Sequence, residues 1–509
     1  MTTLRPAPTE TTAPTTSPAR RWAALAVLML PVLLVAVDNT VLSFAIPAIS
    51  ESLRPGGTQL LWIVDVYPLV LAGLLVPMGS LGDRIGRRRL LLVGSVGFAA
   101  VSAVAAFAPT AETLIAARAG LGFFGAMLMP ASLSLLRNIF TDPVERRTAI
   151  AIWASGFSGG AALGPIVGGY LLEHFWWGSV FLLAVPVLVP LLVAGPLLVP
   201  ESKDPAPGPL DPTSIVLSLA TMVPVVYGIK AAAESGVTVT AVAAVLVGLA
   251  AGTTFVRRQL RRPVPMLDVR LFTNPVFSGA VSANLLSVFS LVGFLFFISQ
   301  HLQLVSGRGP MQAGFVLLPG LVVTIAAGLA AVRLVRRFTP RQVVVGGLLL
   351  NASGYVVVLT TGDAGSDVAL LVAFAMLGAG VGAAETISND LILSSVPPTK
   401  AGAASAISET AYELGAVLGT AVLGSILTAS YRGSVVVPDG LPADDAYSAG
   451  QTLGGASEVA TGLPAATGDA LLESARHAFD SGVVVTSSVG VALMLVAAGV
   501  AFRTLRDAR

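Results

Sequence analysis

Five charged side chains stand inside long apolar runs of this chain. Asp38, Asp65 and Arg118 interrupt hydrophobic segments in its first quarter, and Glu409 and Glu413 interrupt one near the carboxyl end. Charges placed in hydrocarbon are costly, and they normally face a cavity or each other. A carboxylate in such a place can take up and release a proton or hold a cation. These residues therefore indicate ion-binding chemistry inside a strongly apolar structure.

The composition indicates a membrane protein. Of 509 residues, 54% are hydrophobic and 11% are charged, which excludes an ordinary soluble domain. The chain contains about fourteen apolar segments of roughly 18–28 residues, long enough for a bilayer core of about 30 Å. It has no cysteine, no HExxH pair and no P-loop. We therefore expect no enzyme, no cofactor, no metal site and no nucleic-acid partner, with energy drawn from an ion gradient or a separate subunit.

The positions of the basic residues give the orientation. Counted across the gaps between apolar segments, 24 of the 30 Lys and Arg fall in alternate gaps and the two tails. Such an excess marks cytoplasmic loops, so we predict an even number of spans with both termini in the cytoplasm. The opposite gaps hold the exceptions Arg54, Lys230, Arg308, Arg432 and Arg476.

The linkers divide the fourteen predicted spans into six, two and six. A Pro-rich stretch near residue 200 and a basic stretch from Arg257 to Arg270 bracket the middle pair. Two six-helix bundles around a midplane site are typical of secondary transporters. The predicted divisions are a disordered cytoplasmic tail at 1–21, a bundle at 22–200, a linker with two additional helices at 201–262 and a second bundle at 263–509.

A long acidic loop, residues 429–479, is predicted to lie outside the membrane. It ends in a stretch, 466–480, that fits a short amphipathic helix capped near Thr467 or Asp469. We expect a solvated loop that covers the outer mouth of the protein, and the alternative is a role in substrate gating or partner binding.

The short loop after the second span carries an ordered Gly/Asp/Arg pattern. It resembles the signature between helices 2 and 3 of the major facilitator superfamily, which implies a conformational latch; a plain basic anchor is the alternative. The pattern residues are Gly79, Asp83, Arg84, Gly86, Arg87 and Arg88.

Span 5 carries glycines at a spacing of four, which make a smooth stripe that allows close helix packing. With its Gly-Pro and Gly-Gly pairs, it resembles the antiporter motif of exporters in that superfamily. We expect a bending or sliding interface between the two bundles. The residues are Gly156, Gly160, Gly164, Pro165, Gly168 and Gly169.

Three further segments resemble the fourteen-span drug:H⁺ antiporter family 2, in particular the pumps for quaternary ammonium compounds, dyes and, in mycobacteria, fluoroquinolones. They are the stretch around Asp38, the Trp62–Tyr67 stretch and the stretch from Ala401 to Gly415. The resemblance implies a multi-pass protein of the bacterial inner membrane, which we expect to be a monomer.

Depth in the membrane suggests how these residues divide the work. At 1.5 Å per residue, Asp38, Asp65 and Arg118 lie at similar depth, which favours proton coupling; a static Asp–Arg pair is the alternative. Glu409 and Glu413 share one helix face, with the packing glycines on the other. We predict a cationic-substrate site that also uses aromatic rings, formed by Trp62, Asp65, Tyr67, Glu409, Tyr412 and Glu413.

The sequence thus predicts a major facilitator fold that exports amphipathic cationic drugs in exchange for protons. A dedicated exporter of one antibiotic or metabolite with the same machinery is the first alternative. A non-transporting membrane sensor is disfavoured, because it would need no buried carboxylates facing a cavity.

Overall fold

The computed structural model describes residues 17–203, 211–263, 265–360, 367–396 and 401–506, and these form helices and connecting loops without a strand. This confirms the predicted all-helical class. The predicted tail before residue 17 and most of the Pro-rich linker lie outside the described residues. The helices are α1 (Pro18–Leu53), α2 (Gly57–Ile85), α3 (Arg87–Ala106), α4 (Ala111–Ile139), α5 (Pro143–His174), α6 (Ser179–Leu182), α7 (Ala184–Leu198), α8 (Pro212–Ser235), α9 (Val239–Arg261), α10 (Pro275–Gln300), α11 (Pro310–Leu334), α12 (Pro340–Thr360), α13 (Asp367–Ser394), α14 (Ala401–Gly419), α15 (Ser425–Ser434), α16 (Ala443–Gln451), α17 (Leu453–Thr461) and α18 (Ala465–Thr504).

Membrane-length helices dominate this structure. Within the described residues, 13 helical segments are long and apolar enough to cross a bilayer. The glycine-rich α5, with 32 residues, is long enough as well. Helices α6 and α7 together make one segment, and α14 continues into α15 through a π-helical turn at Thr420–Gly424. The structure thus accommodates the predicted fourteen spans.

The long helices pack in two groups with a hairpin beside them. Helices α1–α7 surround one apolar cluster, whereas α10–α15 and α18 surround two others. Helices α8 and α9 pack mainly on each other, and α8 also touches α2, α15 and the π-helical turn. The additional pair therefore reaches the seam between the two groups.

The two ends of the molecule differ. At one end, which we call the Arg-rich end, lie the loops around 84–89, 257–262 and 333–341. At the opposite end the two groups are pressed together. Phe44 and Leu61 of the first group share an apolar cluster with Phe296 of the second. A Cβ added at Gly314 would lie 2.9 Å from the carbonyl carbon of Pro165, so α5 and α11 meet backbone to backbone.

The long acidic loop is more ordered than the sequence suggested. Its helix α17 buries Leu453, Ala456 and Val459 in the apolar cluster at the closed end. Arg54 pairs with Asp445 and Glu458 from this loop. The expectation of a merely solvated loop is wrong, because apolar residues at helical spacing lie between the acidic ones.

The predicted amphipathic helix at 466–480 is not a separate element. Helix α18 begins after Pro464 and runs without a break into the last span, so the predicted cap at Thr467 or Asp469 is also wrong. This stretch is nevertheless amphipathic, since Leu471, Ala475 and Phe479 on one side of the helix are buried.

The hairpin of α8 and α9 is tied at the Arg-rich end by one carboxylate. Asp211 caps α8 by accepting hydrogen bonds from the Ser214 amide (3.2 Å) and hydroxyl (2.6 Å). It also pairs with Arg258 at 2.9 Å and Arg262 at 3.4 Å. The hydrogen bond from Arg258 is the main cause that lowers the pKa of Asp211 below its usual range.

We expect Asp211→Asn to lower the melting temperature of the purified protein by about 1–2 °C at neutral pH. Asparagine still caps the helix, so the loss reports the charge. Because the folded-state pKa is depressed, the stabilisation by the Asp211 charge is fully present above the unfolded pKa of about 4 and is lost progressively as the pH falls from there toward the folded-state pKa. The difference between wild type and variant should therefore shrink on acidification. An equal loss in Asp439→Asn, an exposed loop acid, would contradict this account.

Candidate functional site

A cavity of about 280 Å³ lies between the two groups of helices. No lysine or arginine occurs among the described residues of its wall. Its lining is Ala36, Asn39 and Thr40 from α1, Trp153 from α5, Asn284 and Leu291 from α10, Leu321, Thr324 and Ile325 from α11, Glu385 and Asn389 from α13, and Ser408, Glu409, Tyr412 and Glu413 from α14.

Three carboxyl groups make this wall acidic. Glu409 and Glu413 lie one turn apart on α14 and both face the cavity, and Glu385 joins them from α13. Glu409 is exposed to the cavity, whereas Glu413 is only 6% exposed and its Oε2 has no hydrogen-bond partner among the described residues. An acidic wall without a basic partner is suited to a cation or a proton.

The opposite face of α14 packs closely, as its glycines predicted. Gly415 and Gly419 lie against the backbone oxygens of Leu285 and Phe289 on α10. Helix α14 thus presents carboxylates to the cavity and small residues to its neighbour.

Uncharged polar groups, which are not among the predicted site residues, complete the wall. The Ser408 hydroxyl donates to the Asn389 side chain at 2.6 Å, and the Asn284 amide donates to Ser408 at 3.1 Å. Asparagines inside apolar spans were the available signal, since such groups need partners in lipid. Nothing in the sequence distinguishes Trp153 as a lining residue.

The cavity continues toward the Arg-rich end. A second cavity of about 400 Å³ shares Trp153 and Glu409 with the first. It extends past Gly79, Asp83 and Arg137. Because the opposite end is closed by direct packing, the acidic wall is reached from the Arg-rich end in this conformation.

The structure brings Asp38 and Arg118 together. The Arg118 Nη1 lies 2.7 Å from Asp38 Oδ2, and Arg118 Nε donates to the carbonyl of Ile63 at 3.1 Å. The guanidinium stacks on the ring of Tyr67, 4.6 Å from its centroid. Arg118 is 1% exposed, whereas the Asp38 side chain is 11% exposed. Asp38 is therefore the member of the pair nearer to water.

Asp65 has a different partner from the expected one. Its Oδ2 lies 3.0 Å from the Nζ of Lys230, and the ammonium lies 4.2 Å from the ring centroid of Trp62. The expected position of Lys230, in an outer gap between spans, is wrong. Helix α8 starts at the Asp211 cap and runs on to Ser235, so Lys230 lies inside it.

This arrangement divides the predicted substrate site. Glu409, Tyr412 and Glu413 lie together on the cavity wall, but the structure does not bring Trp62, Asp65 or Tyr67 to it. Trp62 and Asp65 contact Lys230, and Tyr67 is fully buried beneath Arg118.

The Gly/Asp/Arg loop is held by an ion pair within the loop and by the nearby Glu201 carboxylate. Asp83 pairs with Arg87 at 2.8 Å, and the Glu201 carboxylate accepts the Arg88 amide at 3.0 Å. Gly86 adopts φ +113°, and a Cβ there would lie 2.7 Å from Glu201 Cδ. The conformation and the packing both require glycine. Glu201, which binds the start of α3, lies outside the predicted latch pattern.

The glycine stripe of α5 mostly faces its own group. Gly160, Gly164 and Gly168 pack on α1. Among the motif residues, Pro165 and Gly169 approach α11 of the other group, where a Cβ at Gly169 would lie 2.8 Å from the Met311 nitrogen. Helices α5 and α11 nevertheless pack closely on each other along their lengths. The two groups therefore meet directly through this helix pair, while most of the glycines lie on the other side of α5.

The sequence model of the Major Facilitator Superfamily matches residues 28–420. The chain is 59% identical to the multidrug efflux pump LfrA of Mycolicibacterium smegmatis, over 96% of this chain and 98% of that one. It is 38% identical to the methyl viologen resistance protein SmvA of Salmonella typhimurium, over 96% and 99%. It is 33% identical to the tetracenomycin C resistance and export protein of Streptomyces glaucescens, over 95% and 92%.

Solved structures share the fold. A bacterial homologue of the human lysosomal transporter Spinster, in an inward-facing and unoccupied conformation, superposes with a TM-score of 0.65 at 17% identity, covering 96% of this chain and 99% of that one.

We expect Gly86→Ala to destabilise the protein by about 1–3 kcal/mol, the usual cost of forcing a side chain into such a backbone region. The added methyl group also displaces Glu201 from the start of α3. Thermal unfolding of the purified protein measures the loss. Gly346→Ala is the matched control, because a Cβ there meets nothing within 4 Å and its φ is ordinary. Equal stability of the two variants would contradict the requirement for glycine.

Proposed function

The chain belongs to the Major Facilitator Superfamily, and we propose that it exports amphipathic cationic drugs, dyes and antiseptics in exchange for protons. The observation that carries this proposal is the acidic cavity wall formed by Glu385, Glu409 and Glu413, which has no basic partner among its described residues. The 59% sequence identity with the multidrug efflux pump LfrA, over 96% of this chain, supports the proposal.

The cavity has the chemistry that recognises an organic cation. Carboxylates supply charge, and the rings of Tyr412 and Trp153 supply faces that attract cations. The unpartnered Oε2 of Glu413 is a buried acceptor that a ligand cation or a proton would satisfy. Leu291, Leu321 and Ile325 provide the apolar surface that an amphipathic ligand needs.

Proton coupling fits Asp38. Its carboxylate is paired with a buried arginine in this conformation, and α1 also contributes Ala36, Asn39 and Thr40 to the cavity. A movement of α1 relative to α4 would change the Asp38–Arg118 separation and with it the affinity of Asp38 for a proton. The pair would then respond directly to the conformational cycle.

The proposed orientation places the Arg-rich end in the cytoplasm of a bacterial inner membrane, with both termini on that side. The described conformation is then open inward. In the outward-open conformation, the Asp83–Arg87 loop would hold the cytoplasmic side shut, with Arg84 as part of this latch. We propose that the protein works as a monomer, since the cavity lies within one chain.

A dedicated exporter of one antibiotic is the second candidate. The 33% identity with a tetracenomycin C resistance and export protein favours it. Resistance of a host that expresses the chain separates the two, because a multidrug pump protects against several unrelated cations and a dedicated pump against one compound.

We expect Glu413→Gln to weaken binding of a quaternary ammonium dye by about tenfold, because one buried ion pair is lost. Neutral or zwitterionic drugs should lose much less. Wild-type dye affinity should also fall on acidification, where protons compete for the same carboxyls. Fluorescence titration of the purified protein measures all three effects. Glu473→Gln, an exposed residue of α18, is the control. If the dye affinity does not change with pH, and also does not change in the Glu409→Gln, Glu413→Gln double variant, the cation binds elsewhere.

We expect Asp38→Asn to abolish efflux driven by a proton gradient while it leaves dye binding within about twofold of wild type. The amide keeps the size of the side chain and can still contact Arg118, but it cannot carry a proton. Dye accumulation in proteoliposomes, with and without an imposed gradient, gives the readout. Normal gradient-driven transport by this variant would remove Asp38 from the coupling role.

A further inference from the structure

Lys230 is a fully buried cation in a helix that belongs to neither six-helix group. It is 0% exposed, its Nζ lies 3.0 Å from Asp65 Oδ2, and it sits 4.2 Å from the centroid of the Trp62 ring. These three side chains come from α2 and α8, and the Thr420 hydroxyl of the π-helical turn also faces Asp65. The charge is thus held where three elements meet.

The partners of Lys230 have the chemistry of a ligand site. A carboxylate beside an aromatic face is the arrangement that binds organic ammonium ions. Lys230 and Asp65 form an ion pair, but no hydrogen bond of good geometry to either group is found among the described residues. Buried ion pairs usually need additional hydrogen bonds to offset the cost of desolvation. The lysine therefore occupies a place that another cation of similar shape could fill.

The location relates this place to the cavity. Thr420 follows Glu413 by seven residues on the same helix, which is about 10 Å toward the closed end. Leu69 of α2, Val226 of α8 and Ala421 of the π-helical turn form the apolar surroundings, one from each of the three elements. π-Helical turns are frequent at functional sites. When the two groups rock about a central site, the seam at this end is the part that opens.

We propose that Trp62 and Asp65 form a second site for organic cations, which Lys230 occupies in this conformation as a tethered cation. Lys230 then competes with other cations for Asp65, and the α8–α9 hairpin positions Lys230 in the site. The use of the site in transport rests on the proposed function, whereas the cation site itself does not.

Chemical rescue tests the site directly. Lys230→Ala removes three methylenes and the ammonium, which n-propylammonium can replace. We expect saturating n-propylammonium to raise the melting temperature of the purified full-length Lys230→Ala variant by roughly 3 °C. Wild type, with the site filled, and the Lys230→Ala, Asp65→Asn double variant, without the carboxylate, should not respond. n-Propanol, the neutral analogue, should stabilise none of them.

The result that overturns the proposal is equal stabilisation of all three proteins, or none of Lys230→Ala. If this variant unfolds on extraction, the same comparison is made on the yield of monodisperse protein when n-propylammonium or n-propanol is present throughout. A yield that n-propylammonium does not restore counts against the site in the same way.

Lys230→Met tests the consequence for larger cations. It keeps the stem of the side chain and frees Asp65, so we expect tetraphenylphosphonium to bind about tenfold more tightly. A further Asp65→Asn change should return the affinity to wild type. Unchanged affinity in Lys230→Met would deny Lys230 a role in selecting cations. If the wild type binds no tetraphenylphosphonium at all, the proposed function is contradicted. The rescue by n-propylammonium would still support the cation site.

Discussion

Arg118 holds the first group of helices around a charge that has no access to bulk water. Its guanidinium binds Asp38 of α1, the backbone of α2 at Ile63 and the ring of Tyr67. An unpaired charge in such surroundings costs several kcal/mol. The helices α1, α2 and α4 can therefore shift against one another only as far as the arginine keeps a partner. This constraint connects the state of Asp38 to the position of α1, which also forms part of the cavity wall.

The carboxylates of the cavity and the carboxylate at the seam between the two groups differ in whether they have a basic partner. Glu385, Glu409 and Glu413 have no basic partner in the described part of the cavity wall, whereas Asp65 is paired with Lys230 of the same chain. Both arrangements use α14, whose glycines let α10 approach its other face. One helix thus carries the open acidic wall and, through its π-helical turn, the contact with the buried pair. The direct backbone contacts between the groups lie at the closed end, so that end resists separation more than the Arg-rich end does.

Much of this fold follows from sequence patterns that act over short distances. The spacing of Glu409 and Glu413 predicts their common face, and depth along the helices predicts the meeting of Asp38 with Arg118. Lys230 was misplaced because a short apolar run does not show where a helix ends; the Asp211 cap and Gly236, at φ +76°, set the limits of α8. The partners of Asn284 and the burial of Leu453 depend on tertiary packing, which a single sequence does not encode locally.

Helix α18 is longer than any bilayer requires. Its 40 residues span about 60 Å at 1.5 Å per residue, roughly twice the thickness of the hydrocarbon core. Asp480 is tied to His301 at 3.1 Å, and Arg476 donates to the carbonyl of Leu304, so its outer half is clamped to the end of α10. The helix is consequently a stiff lever: a tilt of about 10° at the membrane would swing its far tip by about 5 Å over a 30 Å arm. Because the helix is long, a small rotation of the second group of helices produces a large displacement at that tip. A spectroscopic label attached there would report this displacement in real time.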